Sequence, residues 1–138
     1  MIVIDCKNLI FGRVASHAAK QALNGEEVHL INAEQMVVCG NPTQISDRYK
    51  QKRRLQNKGT PEHSPRWPRV PHMLVKRMVR GMLPRKTMRG REAMKRLMVY
   101  AGNPKNLEGN AKLAKAEYDG VTKHITILGL CKSLGYTG

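Results

Sequence analysis

Lysine and arginine are the residues with which this chain is best equipped to act, and their spacing points to a polyanionic partner rather than to catalysis. Between residues 48 and 96 stand seventeen of them, opposed only by Glu62 and Glu92, so this middle stretch alone accounts for the net charge of +15. Residues 1–47 hold Lys7, Arg13 and Lys20 against five acids, and residues 97–138 hold five cations against three acids, so both flanks are nearly neutral. A solvated surface mixes signs, whereas so one-sided a run repels itself unless something anionic neutralises it.

Groupings that could perform a reaction are missing. His17, His29, His63, His72 and His124 form neither an HxxxH pair nor a Cys/His set, the spacings by which side chains converge on a metal. Cys6, Cys39 and Cys131 are odd in number, far apart and never in a CxxC pair, so they read as small core residues rather than a disulfide framework or zinc site. Asp5 and Gly12 follow a first strand, where α/β enzymes place catalytic or nucleotide-binding groups, but neither GxGxxG nor a GKS/GKT loop accompanies them. A metal-dependent nuclease needs clustered carboxylates, and Glu62 and Glu92 are thirty residues apart. The expectation is a protein that is not an enzyme, with no catalytic residues, cofactor, metal or small-molecule substrate. A free-standing DNA- or mRNA-binding regulator would call for a helix bearing base-reading Asn or Gln, whereas Lys76, Arg77 and Arg80 look like phosphate binders, which position without specifying.

The elements that must hold these cations can be read from the apolar pattern. Residues 1–5 and 28–31 are short, continuously apolar runs of the kind covered on both faces, and 36–39 is a third, ended by Gly40. From Gly12 the spacing turns helical, with Val14, Ala15, Ala18, Ala19, Ala22 and Leu23 on one stripe and Asn24-Gly25 as a stop. Asn41-Pro42 opens a helix over 42–57 by the cap-then-proline rule. Pro61, Pro65, Pro68 and Pro71 make 57–71 a loop. Further helices are predicted over 71–83, 89–98 and 126–134, and a short strand at 99–100; residues 105–120 give weak signals. Strand, helix, strand in one domain of 138 residues implies an α/β fold, a small parallel sheet sandwiched between helices.

The basic segment then falls on three carriers. The helix over 42–57 bears Arg48, Lys52, Arg53 and Arg54, and the proline loop bears Arg66 and Arg69 beside Trp67, which is placed either to stack on an unpaired base or to anchor the loop. On the helix over 71–83, at 100° per residue from Met73, Lys76, Arg77 and Arg80 fall within about 100°, while Leu74, Val75, Met78, Val79 and Met82 span about 140° opposite. Arg85, Lys86, Arg89, Arg91 and Arg96 follow around Pro84 and Gly90, where a missing side chain would let backbone amides approach phosphates. Arginine predominates after residue 66, which favours RNA because the guanidinium fork engages phosphate bidentately and stacks on bases. These fourteen residues are the expected RNA contacts.

Four stretches carry a family resemblance: VIDCKNLIFGRVAS (3–16), INAEQMVVCGNP (31–42), RGMLPRKTMRGREAMKRLMVYAGNP (80–104) and ITILGLCKSLGY (125–136). In order and spacing they closely resemble the universal large-subunit ribosomal protein L-thirteen family, in the form of its archaeal and eukaryotic branch. The likeness covers nearly the whole chain and is loosest over 57–72 and 105–123. It implies a three-layer α/β/α fold with a parallel sheet of about four strands, and a structural role among large-subunit rRNA and neighbouring ribosomal proteins. By motif it assigns rRNA contact to Arg80, Arg85, Lys86, Arg89, Arg91 and Arg96. No stretch nears the ~18 apolar residues of a membrane span, and the start MIVIDCKNL lacks a secretion-signal layout, so a cytoplasmic location without membrane contact is expected.

Overall fold

The computed structural model describes residues 1–111 and 113–138. In chain order the elements are β1 (Ile2–Asp5), α1 (Phe11–Leu23), β2 (Val28–Ile31), β3 (Val37–Cys39), α2 (Pro42–Arg54), α3 (Pro71–Arg80), α4 (Met88–Arg96), β4 (Leu97–Val99), β5 (His124–Thr126) and α5 (Ile127–Ser133), with single 3-10 turns at Ala33–Gln35, Pro61–His63 and Ala114–Ala116. The chain is an α/β protein, as its pattern of apolar runs and helical stripes indicates.

β1, β2 and β4 form a parallel sheet with β2 in the centre. Register places Ile4 beside Leu30 and Leu30 beside Val99, with Val28 beside Leu97. Side chains alternate across a strand, so these five share a face, and all are buried in one cluster with Val14 and Ala18 of α1, Leu74 and Val75 of α3, Ala93 of α4 and Leu130 of α5. The free edge of β1 is covered: Asn110 Oδ1 accepts from the Val3 N–H at 2.7 Å, and the Asn110 and Ala111 N–H groups donate to the Val3 carbonyl. Leaving that edge open would expose a template for pairing. β3 lies next to the chain just beyond β1 through one parallel bridge, Ile10 to Val37, and pairs antiparallel with β5. The parallel sheet thus has three strands, and β3 with β5 forms a separate two-stranded antiparallel sheet beside it.

Local chemistry fixes the ends of the helices that matter here. Asn41 caps α2 by accepting from the Thr43 N–H at 3.1 Å with Pro42 in the first turn. Thr87 caps α4 by accepting from the Gly90 N–H at 3.2 Å. That bond corrects the expectation for Gly90: its amide is engaged, not free for phosphate, and the residue is glycine because a Cβ there would stand 2.1 Å from the Pro84 carbonyl oxygen. The Pro84 turn and α4 are therefore clamped together.

Several boundaries differ from those the sequence predicts. α2 ends at Arg54 and α3 at Arg80, where Gly81 caps it; Met82, expected on the apolar arc, is thus off the helix and 44% exposed. α4 stops at Arg96 and β4 begins at once at Leu97, not at 99. In LMVY, a continuous apolar run, periodicity cannot separate helix from strand; burying Leu97 and Val99 while turning Met98 outward decides for the strand. β5, three residues beside a loop, leaves no readable pattern.

Cysteine placement also splits. Cys6 and Cys131 are buried, but Cys39, at the end of β3, is exposed rather than in the core. Burial, and then the charges of Asp5 and Glu34, push the Cys6 thiol up to about 12, and burial pushes Cys131 up to about 11.

Two outcomes follow. Gly90→Ala should destabilise the protein by about 2–3 kcal/mol, the upper part of the overpacking range, read as a lower denaturation midpoint; an unchanged midpoint would refute the clamp. A soluble thiol reagent should modify Cys39 alone in the folded protein and all three thiols after unfolding, and rapid native labelling of Cys6 would contradict its burial.

Candidate functional site

α2, the loop after it and α3 bring part of the basic segment together. Leu74, Val75 and Val79 of α3 are buried, so that helix docks by one stripe, and each buried chain contributes ~1.5–3 kcal/mol to holding it there. The opposite stripe of α3 carries Lys76, Arg77 and Arg80, all partly exposed, as the 100° spacing predicts.

α2 meets α3 through an aromatic brace. The Trp67 ring stands edge-on to Tyr49 with centroids 5.6 Å apart. Lys52 Nζ lies 4.6 Å from the Trp67 centroid and 4.7 Å from that of Tyr49, and the Arg77 guanidinium lies 4.4 Å from the Trp67 centroid. Tyr49 Oη donates to Met78 Sδ, and Arg53 donates to the Trp67 carbonyl. Of the two roles open to Trp67, the structure shows the anchor: cations of this chain already lie over its ring.

Burial and neighbouring cations act together on these groups. Burial, followed by the charges of Arg48 and Arg77, pushes the Lys52 ammonium below the ordinary lysine pKa. Arg77 is pushed down by burial and then by Arg80 and Arg85. For a cation, a lowered pKa means that folding disfavours its charged form, so Arg48, Lys52, Arg77, Arg80 and Arg85 are held together against their own repulsion. Relief from acids is slight. Among the described residues only Lys50 with Asp47 and Arg96 with Glu92 pair within the segment, at 4.0 and 3.5 Å and on the surface.

The remaining predicted residues divide. Arg54, Arg66, Arg69, Lys86 and Arg91 are exposed. The Arg69 guanidinium rests beside Gly135, and Arg89 donates to the Leu23 carbonyl at 3.3 Å, satisfying the last turn of α1. Arg96 is drawn to a different concavity, shared with Glu27, His29, Lys95, Met98, Tyr100 and Lys105. In it the His29 and Tyr100 rings stack at 5.9 Å, and Lys105 Nζ stands 5.3 Å from the Tyr100 centroid. Sequence reasoning passed over Lys95 and Lys105 because this site joins residues from β2, α4 and the loop after β4, which no local pattern links.

Asp5 and Gly12 build nothing reactive. Asp5 Oδ1 accepts from Asn32 Nδ2 at 2.8 Å and from the Lys7 N–H, fixing the chain ends after β1 and β2. Among the described residues no group of three or more His, Cys, Asp or Glu could hold a metal ion, and no helix is long and apolar enough to cross a membrane.

Comparison with known proteins fits this picture of a basic, helix-borne surface on a small α/β body. The sequence profile of ribosomal protein L13 matches residues 1–106. The chain is 43% identical over 136 residues to large ribosomal subunit protein uL13 of Methanocaldococcus jannaschii, covering 98% of each chain. It is 40% identical over 141 residues to uL13 of Archaeoglobus fulgidus, covering 99% of this chain and 88% of that one. A third uL13, from Natronomonas pharaonis, is 44% identical over 103 residues, 75% of this chain and 69% of that one. Likeness at this level over almost the full length, together with the profile match, shows that the chain belongs to the ribosomal protein L13 family, whose members are structural ribosomal proteins and not enzymes.

Proposed function

We propose that this chain is a structural constituent of the large ribosomal subunit in the cytoplasm, and that its basic segment binds and organises large-subunit rRNA during assembly. One observation carries the reading: among the described residues, fifteen of the seventeen cations between residues 48 and 96 have no acidic partner, and the fold crowds several of them together. Such a surface is stabilised by an anion that arrives from outside. The names borne by the relatives, all large-subunit proteins, point to rRNA as that anion.

The binding segment consists of α2, the proline loop, α3, the Pro84 turn and α4. Its fourteen contact residues are Arg48, Lys52, Arg53, Arg54, Arg66, Arg69, Lys76, Arg77, Arg80, Arg85, Lys86, Arg89, Arg91 and Arg96. Arginine outnumbers lysine eight to three over residues 66–96, which suits bidentate grip on phosphate oxygens. Contacts of this kind position a protein on its nucleic acid without reading sequence. Neighbouring large-subunit proteins are the chain's further partners.

Two measurements test this. If about half of the seventeen cations meet phosphates, affinity for large-subunit rRNA should fall by about 10³–10⁵ between 50 and 200 mM salt. The Arg80→Ala, Arg85→Ala double variant should flatten the log–log slope by about 2; a wild-type slope near zero would end the reading. In the free protein, salt should act the opposite way. Screening the unpaired cations should stabilise it by about 1 kcal/mol, a few degrees in Tm, whereas a Tm that falls with salt would mean that the cations are compensated internally.

A further inference from the structure

We propose that the loop between α2 and α3 is a receptor for one unpaired nucleotide of the bound RNA, with the Gln56 amide presented to the base edge. The inference rests on the RNA-binding reading above and names the part of the RNA that this site takes.

The loop encloses a bowl of about 650 Å³, within the ~300–1,000 Å³ of pockets that take small organic ligands. Its shape is set before any ligand arrives. The Asn57 N–H donates to Ser64 Oγ at 3.0 Å and Asn57 Nδ2 donates to the His63 carbonyl at 3.2 Å, drawing the two arms together. Prolines at 61, 65 and 68 stiffen the far arm, and Arg53, by donating to the Trp67 carbonyl, fastens that arm to the end of α2. A loop ordered in advance loses little entropy on binding.

The lining has the chemistry of a nucleotide. Arg53, Lys58 and Arg66 supply positive charge, and no acid is among the lining residues. Leu55 is 57% exposed, and with Pro61 and Pro65 it gives the bowl apolar walls against which a base can lie. Gln56 is exposed and makes no side-chain hydrogen bond to another described residue, so its paired donor and acceptor are free for a base edge. Trp67 borders the bowl, but Lys52 and Arg77 lie over its ring, so the walls rather than the indole receive the base.

Paired RNA cannot fill such a site. Its bases are stacked inside the helix, its major groove is too narrow for side chains, and its minor groove is shallow; a base enters a bowl only when splayed out of the stack.

Full-length protein should be titrated with two RNA hairpins that differ only in a single bulged purine. The bulged hairpin should bind about tenfold tighter, the return of laying one base against apolar walls. It alone should change the fluorescence of Trp67, the chain's single tryptophan. Gln56→Ala and Leu55→Ser, both at exposed positions, should erase the preference while leaving affinity for the paired hairpin and its salt slope unchanged. Equal affinity for the two hairpins, or a preference that survives both substitutions, overturns the receptor and leaves the rRNA reading standing. Weak, salt-insensitive binding of both hairpins overturns the rRNA reading and the receptor with it.

Discussion

Mutual repulsion among cations with no acid beside them is the constraint that the rest of this structure must satisfy. Burial first, and then the charges of Arg48 and Arg77 on Lys52 and of Arg80 and Arg85 on Arg77, disfavour the charged forms of Lys52 and Arg77. What holds them is apolar packing on the reverse side. Leu74, Val75 and Val79 anchor α3 in the core, and Ala93 anchors α4. Each large buried chain contributes ~1.5–3 kcal/mol, whereas a pair of charges at a wet surface repels by about 1 kcal/mol at close range and less in salt. Packing therefore wins, and the surface remains assembled while its charges stay unsatisfied.

The aromatic brace moderates that repulsion. Lys52 and Arg77 both lie over Trp67, whose electron-rich ring attracts each without adding net charge. A cation–ring contact is worth about 0.5–1 kcal/mol at exposed sites and about 2 when desolvated, less than a buried acid could return. That difference matters physically. An acid in the same place would hold the cations in permanent pairs, while the ring steadies them and leaves their charge uncompensated, as the proposed rRNA contact requires. Trp67 thus joins α2, the loop and α3 into one surface.

Much of this was legible in the sequence because it lies in local periodicity. The 100° spacing of Lys76, Arg77 and Arg80 against Leu74, Val75 and Val79 is observed as an exposed and a buried stripe, and Asn41-Pro42 caps α2 as its residue types demand. The start of β4, by contrast, depends on which of Leu97, Met98 and Val99 meets the core, a tertiary decision within a uniformly apolar run. The role of Gly90 was hidden for a similar reason, since its closeness to the Pro84 carbonyl is a property of two segments that the sequence only shows as neighbours. Arg89 gives the same lesson: its charge is visible, but its bond to the Leu23 carbonyl, sixty-six residues away, is not. Charge density is local and readable, whereas the diversion of a cation to structural work is not.

Rigidity of presentation follows from the least expected of those features. Because α4 passes into β4 without a loop, the helix carrying Arg91 and Arg96 has its position set by the register of Leu97 and Val99 against Val28 and Leu30. The Pro84 turn with Arg85 and Lys86 is in turn fixed to α4 through Thr87 and Gly90. A chain of short, stiff connections therefore runs from the centre of the parallel sheet to the exposed guanidinium groups. Long basic side chains lose rotamer freedom when they bind, but a backbone already fixed adds no further ordering cost. A backbone fixed in this way, carrying exposed basic side chains, is the arrangement that the proposed contact with an irregular polyanionic surface calls for.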